Sequence, residues 1–285
     1  MTKRTLILGY HLVAFLDVLA QRDALEQLRK MPTTPEERVQ TEEALRNTAG
    51  FVLDMRELFQ STFAEFEEGA SSRMQVHTKQ PVRPKLVGFS DSFVMSVALR
   101  EDRGALVRAV IVFSALSAAS VVMLTSLASR HPLRGGIDVG LATEIGPEEI
   151  YGTALRNAYL LESQTAGYPR IVVGDELLEY LNIELLRFGQ QATPVANAIT
   201  EIVQKIKQMI VRDKDGENIL DYLGPVVANS FSEHAAQLVQ PAYDFVLAEQ
   251  KRLISEGDKK KIDRYLLFRE YFESRLTLWG LKAIV

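Results

Sequence analysis

The spacing of apolar and polar positions changes several times along this chain, and each change marks an element. Residues 6–19 are an apolar run broken by His11 and Asp17, which predicts a buried strand over about 5–19. Thr34 as cap and Pro35 at the first helical position then open a helix. It runs to about residue 68, with Leu45, Val52, Met55, Leu58, Phe59, Phe63 and Phe66 at helical spacing. Residues 69–84 read as a loop. Residues 85–100 read as a second strand, apolar on both sides of Asp91, with a hairpin to a preceding edge as a further option.

An uncharged helix is expected over 104–130 and a glycine-containing strand over 133–141. A helix over 153–165, a strand over 170–173 and helices over 175–187 and 194–210 follow. The last two are joined by the polar stretch 189–193. Residues 211–223 predict a hairpin turning at Asp215-Gly216, and two helices broken around Gly257-Asp258 complete the chain. Strands alternate with helices, so the class is α/β or α+β.

Composition narrows the function. The chain has 285 residues, 47% hydrophobic and 25% charged, enough for one sizeable core and a small second module. A net charge of −4 argues against a nucleic-acid binder. The absence of cysteine excludes disulfides, thiolate zinc sites and thiol nucleophiles, and suits a cytoplasmic setting. The apolar start superficially resembles a signal peptide, but Asp17 interrupts it and no small-residue cleavage site follows. Residues 109–129 carry no charge and are long enough to span a bilayer. Their six Ser and Thr side chains, and the symmetric flanking by Arg108 and Arg130, favour a core helix over membrane insertion.

The chemistry centres on Asp17 and Asp91. A carboxylate in an apolar strand loses solvation and needs a partner, and two on neighbouring strands form a divalent-cation site of the kind phosphoryl transfer uses. The structural alternative is that each caps a turn or pairs with an arginine. Arg134 and Arg156 are candidates for phosphate contacts, with ion pairs to Glu148, Glu149 or Glu162 as the alternative. Amides from Leu19 to Gln21, including Ala20, are candidates to cradle phosphates. The four histidines lack ligand spacing. Asp213-Lys214-Asp215-Gly216 faintly suggests a calcium loop, but Gly224 stands where its acidic twelfth residue belongs. No P-loop or nucleophile elbow is present.

Phe15-Leu16-Asp17-Val18, Phe89-Ser90-Asp91, Arg134-Gly135-Gly136-Ile137-Asp138-Val139-Gly140 and the segment from Ile150-Tyr151-Gly152 to Glu162, in this order, resemble class III nucleotidyl cyclases over about residues 5–225. The resemblance implies a ferredoxin-like catalytic domain over 1–225, its central antiparallel-containing sheet flanked by helices, with a helical insertion at about 33–68. A C-terminal helical extension, 226–285, would pack on that unit or on a dimer partner. It further implies two Mn²⁺ or Mg²⁺ ions per site held by Asp17, Asp91 and the Val18 carbonyl, with Arg134 and Arg156 catalytic. Phe15, Leu19, Ala20, Lys85, Glu149 and Tyr151 become candidate substrate contacts.

Three departures matter. Val87 stands where purine-specific members carry a lysine, with Lys85 two residues earlier. Tyr151 replaces a tryptophan, and Arg156 and Leu160 replace the family's Asn and Arg. The chain thereby looks like the pyrimidine cyclases of the bacterial Pycsar anti-phage system. That implies UTP, or else CTP, as substrate, and a head-to-tail homodimer with shared active sites. Its cyclic product would activate an effector. An adenylate or guanylate cyclase, and a catalytically silent nucleotide-sensing domain, are the rivals.

Overall fold

The computed structural model describes residues 8–19, 30–73, 81–146, 149–230 and 233–283, without the side chains of 233–235. Its frame is one eight-stranded sheet. The strands are β1 (Leu8–Val18), β2 (Lys85–Phe89), β3 (Ser92–Ala98), β4 (Leu133–Glu144), β5 (Ile150–Gly152), β6 (Ile171–Val173), β7 (Ile210–Arg212) and β8 (Asn218–Leu220). They lie in the order β2-β3-β1-β4-β6-β8-β7, with β5 on the far end of β4. Every pairing is antiparallel except β4 with β6. The mixed α/β class with an antiparallel-containing sheet is as expected.

Side-chain alternation along β1 divides the molecule in two. Leu12, Ala14, Leu16 and Val18 point to the back and join the main core, whereas Val13, Phe15 and Asp17 point to the front. Behind the sheet lie α2 (Phe51–Arg73), α3 (Ala105–Ala128), α5 (Asp175–Phe188) and α6 (Pro194–Gln208). The long α8 (Glu233–Glu256) packs on α3, and α9 (Lys259–Glu273) packs on α8. The helix α3, whose one charged residue is Arg108 near its start, is long and apolar enough by composition to cross a membrane and is buried along almost its whole length. Its Ser120 and Ser126 hydroxyls donate to the Leu116 and Met123 carbonyls, which removes their polarity from the core.

The front face carries α4 (Thr153–Leu160), extended by a π-type turn over Leu161–Thr165. Ala154 and Ala158 let it lie close to β4. At Gly136 a Cβ would stand 2.2 Å from the Ala158 carbonyl oxygen, so only glycine permits this approach.

Four details differ from the sequence expectation. The helix over 34–68 divides into α1 (Pro35–Leu45), a π-type turn and α2, which extends to Arg73. Thr34 and Glu37 form a reciprocal capping box, yet α1 buries no residue. The short β5 and α7 (Pro225–Ser230) were not anticipated. Asp91 is not mid-strand. It sits with Ser90 in the two-residue turn joining β2 to β3, where Ser90 takes a φ of 55°. Apolar residues on both sides of that turn mimic one continuous strand.

Candidate active site

Asp17 is the penultimate residue of β1, on the front face. The register sets Ser92 of β3 opposite it on one side and Arg134 of β4 on the other. The Ser92 hydroxyl donates to Asp17 Oδ1 at 2.6 Å, and Arg134 Nη2 lies 3.5 Å from Oδ2. Arg134 Nε donates at 2.5 Å to Oε1 of Glu162, a carboxyl buried in the turn that extends α4. The ion pair foreseen as the structural alternative for Arg134 is therefore present, and the same guanidinium faces Asp17.

Burial raises the proton affinity of Asp17, and the nearby Asp91 carboxylate raises it further. The Ser92 hydrogen bond and the Arg134 charge pull it back. Glu162 is also raised, first by burial and then by Asp17, against the pull of Arg134. Asp91 is tied to the same place through its main chain, since its carbonyl accepts the Val18 N–H at 3.0 Å. Asp17, Val18, Asp91 and Arg134 thus converge at one end of the sheet.

Beside them a cavity of about 700 Å³ opens on the front face, lined by Phe15, Phe89, Tyr151, Leu155, Arg156 and Tyr159. The Phe15 and Tyr159 rings meet edge to face at 5.4 Å. Phe89 and Tyr151 are 59% and 70% exposed, an unusual investment of aromatic surface in solvent. Arg156 stands exposed on the wall, with no ion pair among the described residues.

The remaining candidates are placed differently. Lys85 is held by Glu144, at the opposite end of β4 from Arg134, and also donates to the Gly146 carbonyl. Glu149 is exposed in the connection before β5. The Leu19 N–H is spent on the Pro132 carbonyl at 2.7 Å, so this amide is not free to cradle a phosphate. Ala20 and Gln21 lie outside the described residues.

Sequence reasoning named neither Ser92 nor Asp138 as a site residue. Asp138, 3% exposed, accepts the Leu177 N–H at the start of α5 at 2.9 Å and the Asn157 amide at 3.2 Å. Burial pushes it up to about 6. Glu162 carried one usable signal: it follows Ala154 and Ala158 at intervals of four, on the stripe that packs against β4. The calcium-like sequence has another explanation, because Asp213 and Asp215 both receive the buried guanidinium of Arg170, at 2.7 and 2.6 Å.

Two carboxylates and a main-chain carbonyl are hard oxygen donors, matched to Mg²⁺ or Mn²⁺. The mutual repulsion of Asp17 and Asp91 is what a divalent cation would relieve. Among the described residues no group of three or more His, Cys, Asp or Glu side chains is placed to hold a metal ion.

No family model and no curated protein matches the chain. Among solved structures it is similar to the adenylyl cyclase CyaB from P. aeruginosa, at 14% identity and a TM-score of 0.41, over 63% of this chain and 84% of that one. It is also similar to two structures of bacterial light-regulated adenylyl cyclases at 12% identity. One has a TM-score of 0.39 over 83% of this chain and 99% of that one. The other has a TM-score of 0.37 over 70% of this chain and 59% of that one. These are likenesses of chain path.

Proposed function

We propose that this chain is a class III-type nucleotidyl cyclase that converts UTP to 3′,5′-cyclic UMP and pyrophosphate, with CTP the next candidate substrate. The observation that carries the reading is the meeting of Asp17 and Asp91 beside Arg134, at one end of an antiparallel sheet. In the reaction the ribose 3′-oxygen bonds to the α-phosphorus as the bond to the pyrophosphate oxygen breaks. Bound at Asp17, Asp91 and the Val18 carbonyl, two Mn²⁺ or Mg²⁺ ions would supply acidity to the hydroxyl and charge neutralisation to the phosphates. Arg134, fixed by Glu162, is set to face an α-phosphate oxygen. Phe15, Phe89, Tyr151 and Tyr159 offer flat apolar surface to a nucleoside.

Arg156, without an ion pair among the described residues, and the exposed front-face aromatics support a head-to-tail homodimer, in which Arg156 of a second copy would reach the triphosphate. Pyrimidine choice is supported by Val87 at the purine-reading position and by the engagement of Lys85 with Glu144. The cyclic product would act in the cytoplasm on an effector in anti-phage defence, as the sequence resemblance implies. The test offers an equimolar mixture of the four ribonucleoside triphosphates with Mn²⁺ and identifies products by mass spectrometry. Cyclic UMP is expected, and Asp91→Ala should abolish it with an unchanged melting temperature. A dominant cyclic CMP or purine product moves the assignment to that substrate. No turnover by folded, dimeric protein ends the reading.

A further inference from the structure

We propose that Ser92 is a positioning residue for the cation site. Its hydroxyl fixes the Asp17 carboxylate, and with it the spacing of Asp17 from Asp91, so that a divalent ion meets ligands already in place. The inference rests on the cyclase reading of that site and adds to it a residue that acts through its neighbours.

The strand register carries the geometry. Asp17 of β1 and Ser92 of β3 are direct partners in an antiparallel pair, so their side chains leave the same face of the sheet about 5 Å apart at Cβ. At that separation a serine is long enough to reach the carboxylate and short enough to hold it in one place. Ser92 Oγ donates to Asp17 Oδ1 at 2.6 Å, the length of a charge-assisted bond. The Asp17 side chain is 17% exposed, so water competes poorly for that contact. From the other side, Arg134 of β4 approaches Oδ2 at 3.5 Å. The two oxygens are held unequally: an arriving cation displaces the loose guanidinium, while the serine keeps the carboxylate from turning. An ionised carboxylate oxygen has more than one acceptor position, so Oδ1 can keep the serine and still ligate an ion.

Ser92 also follows Asp91 in the chain. The Asp91 carbonyl accepts the Val18 N–H at 3.0 Å, so two adjacent residues of β1 are bonded to two adjacent residues at the β2–β3 turn. These bonds clamp the turn that carries one carboxylate to the strand that carries the other. The turn does not hold itself by preference. Ser90 takes a φ of 55°, a left-handed conformation that a non-glycine residue seldom adopts unless its surroundings impose it. Like charges on Asp17 and Asp91 repel, and an unpinned Asp17 would swing away from its neighbour. The serine opposes that rotation.

The test uses the full chain without nucleotide and reads Mn²⁺ binding by electron paramagnetic resonance, which separates bound from free ion. Wild type should bind Mn²⁺, and Ser92→Ala should bind it about tenfold more weakly, the usual loss when a ligating carboxylate is deprived of its hydrogen-bond partner. Ser92→Thr, which keeps the hydroxyl and suits a strand, should restore the affinity. In the cyclase assay, Ser92→Ala should raise the Mn²⁺ concentration for half-maximal rate by the same factor, with most of kcat recovered at saturating Mn²⁺. A hydrogen bond serving stability alone would lower the melting temperature of the metal-free protein and leave Mn²⁺ affinity where it was. Unchanged affinity in Ser92→Ala, or a loss that Ser92→Thr does not restore, overturns the inference and leaves the cyclase reading standing. Failure of wild type to bind Mn²⁺ at all overturns both.

Discussion

Arg134 joins a strand to a helix through two unequal contacts: a 2.5 Å hydrogen bond to Glu162 and a 3.5 Å approach to Asp17. The short contact fixes the guanidinium, and the long one leaves Asp17 free to exchange it for another cation. Only a planar fork can serve both directions, because a lysine ammonium is a single point charge.

Arg134→Lys should therefore keep the positive charge and lose the geometry. A fall in kcat of about 100-fold is expected, with little change in melting temperature. Arg134→Ala should lower kcat further yet still fold, because Glu162, already raised by burial, can take up a proton once its partner is gone. Steady-state kinetics and thermal melts on both variants check this. Full activity in Arg134→Ala would remove the arginine from the mechanism.

Asp138 gives a pH signature in stability. Its folded-state value of about 6 lies above the ordinary carboxyl value of 3.8, so the folded chain holds this proton more tightly than the unfolded chain. Stability from this group is therefore full below pH 4 and is lost as pH rises to 6, by about 3 kcal/mol in all. Asp138→Asn removes the titration while its carbonyl oxygen can still accept the Leu177 N–H. Urea unfolding of both proteins at pH 4.5, 5.5 and 7 should show wild type losing ground to the variant across that interval. A difference constant with pH would contradict the assignment.

Much of the site's framework is legible in the chain, for identifiable reasons. The apolar run of β1 follows from burial on both faces: Leu12, Ala14 and Leu16 join the main core, and Val13 and Phe15 pack with Ala154 and Ala158 of α4. The arrangement around Asp17 is less legible because it depends on register: nothing local says that Ser92 and Arg134 fall opposite it. Asp91 misleads because Leu86-Val87 and Phe93-Val94 extend the apolar pattern through a turn whose positive φ is carried by Ser90, without the usual Asn-Gly signal. Glu162 is legible only as one of three candidate ion-pair partners, since Arg134 lies 28 residues away in the chain.

Arg170 makes a separate prediction about metal binding. Besides Asp213 and Asp215, its guanidinium donates to the Thr165 and Ala166 carbonyls, so the β7–β8 turn is stapled to the start of β6. Millimolar Ca²⁺ should leave the melting temperature unchanged, because both carboxylates already hold a cation. Arg170→Ala should cost about 3–5 kcal/mol, as expected when one partner of a buried ion pair is removed. Calcium stabilisation of wild type would show that the guanidinium can be displaced.

The C-terminal helices bear on where the catalytic unit ends. Val239, Tyr243, Val246, Phe268 and Phe272 belong to the same continuous core as α3. Asp221, buried before α7, accepts from the Tyr271 hydroxyl at 2.9 Å and from Arg275 Nε at 3.1 Å. The Trp279 indole donates to the Leu223 carbonyl at 2.9 Å. Removing residues 226–285 would expose one flank of α3 and strip Asp221 of its Tyr271 and Arg275 donors. A chain ending at residue 225 should aggregate or bind a hydrophobic dye such as ANS, with no cooperative thermal transition. Asp221→Asn in the full chain should fold and melt earlier by several degrees. A truncated chain that melts cooperatively would establish 1–225 as a self-sufficient domain and reduce the C-terminal helices to an appendage.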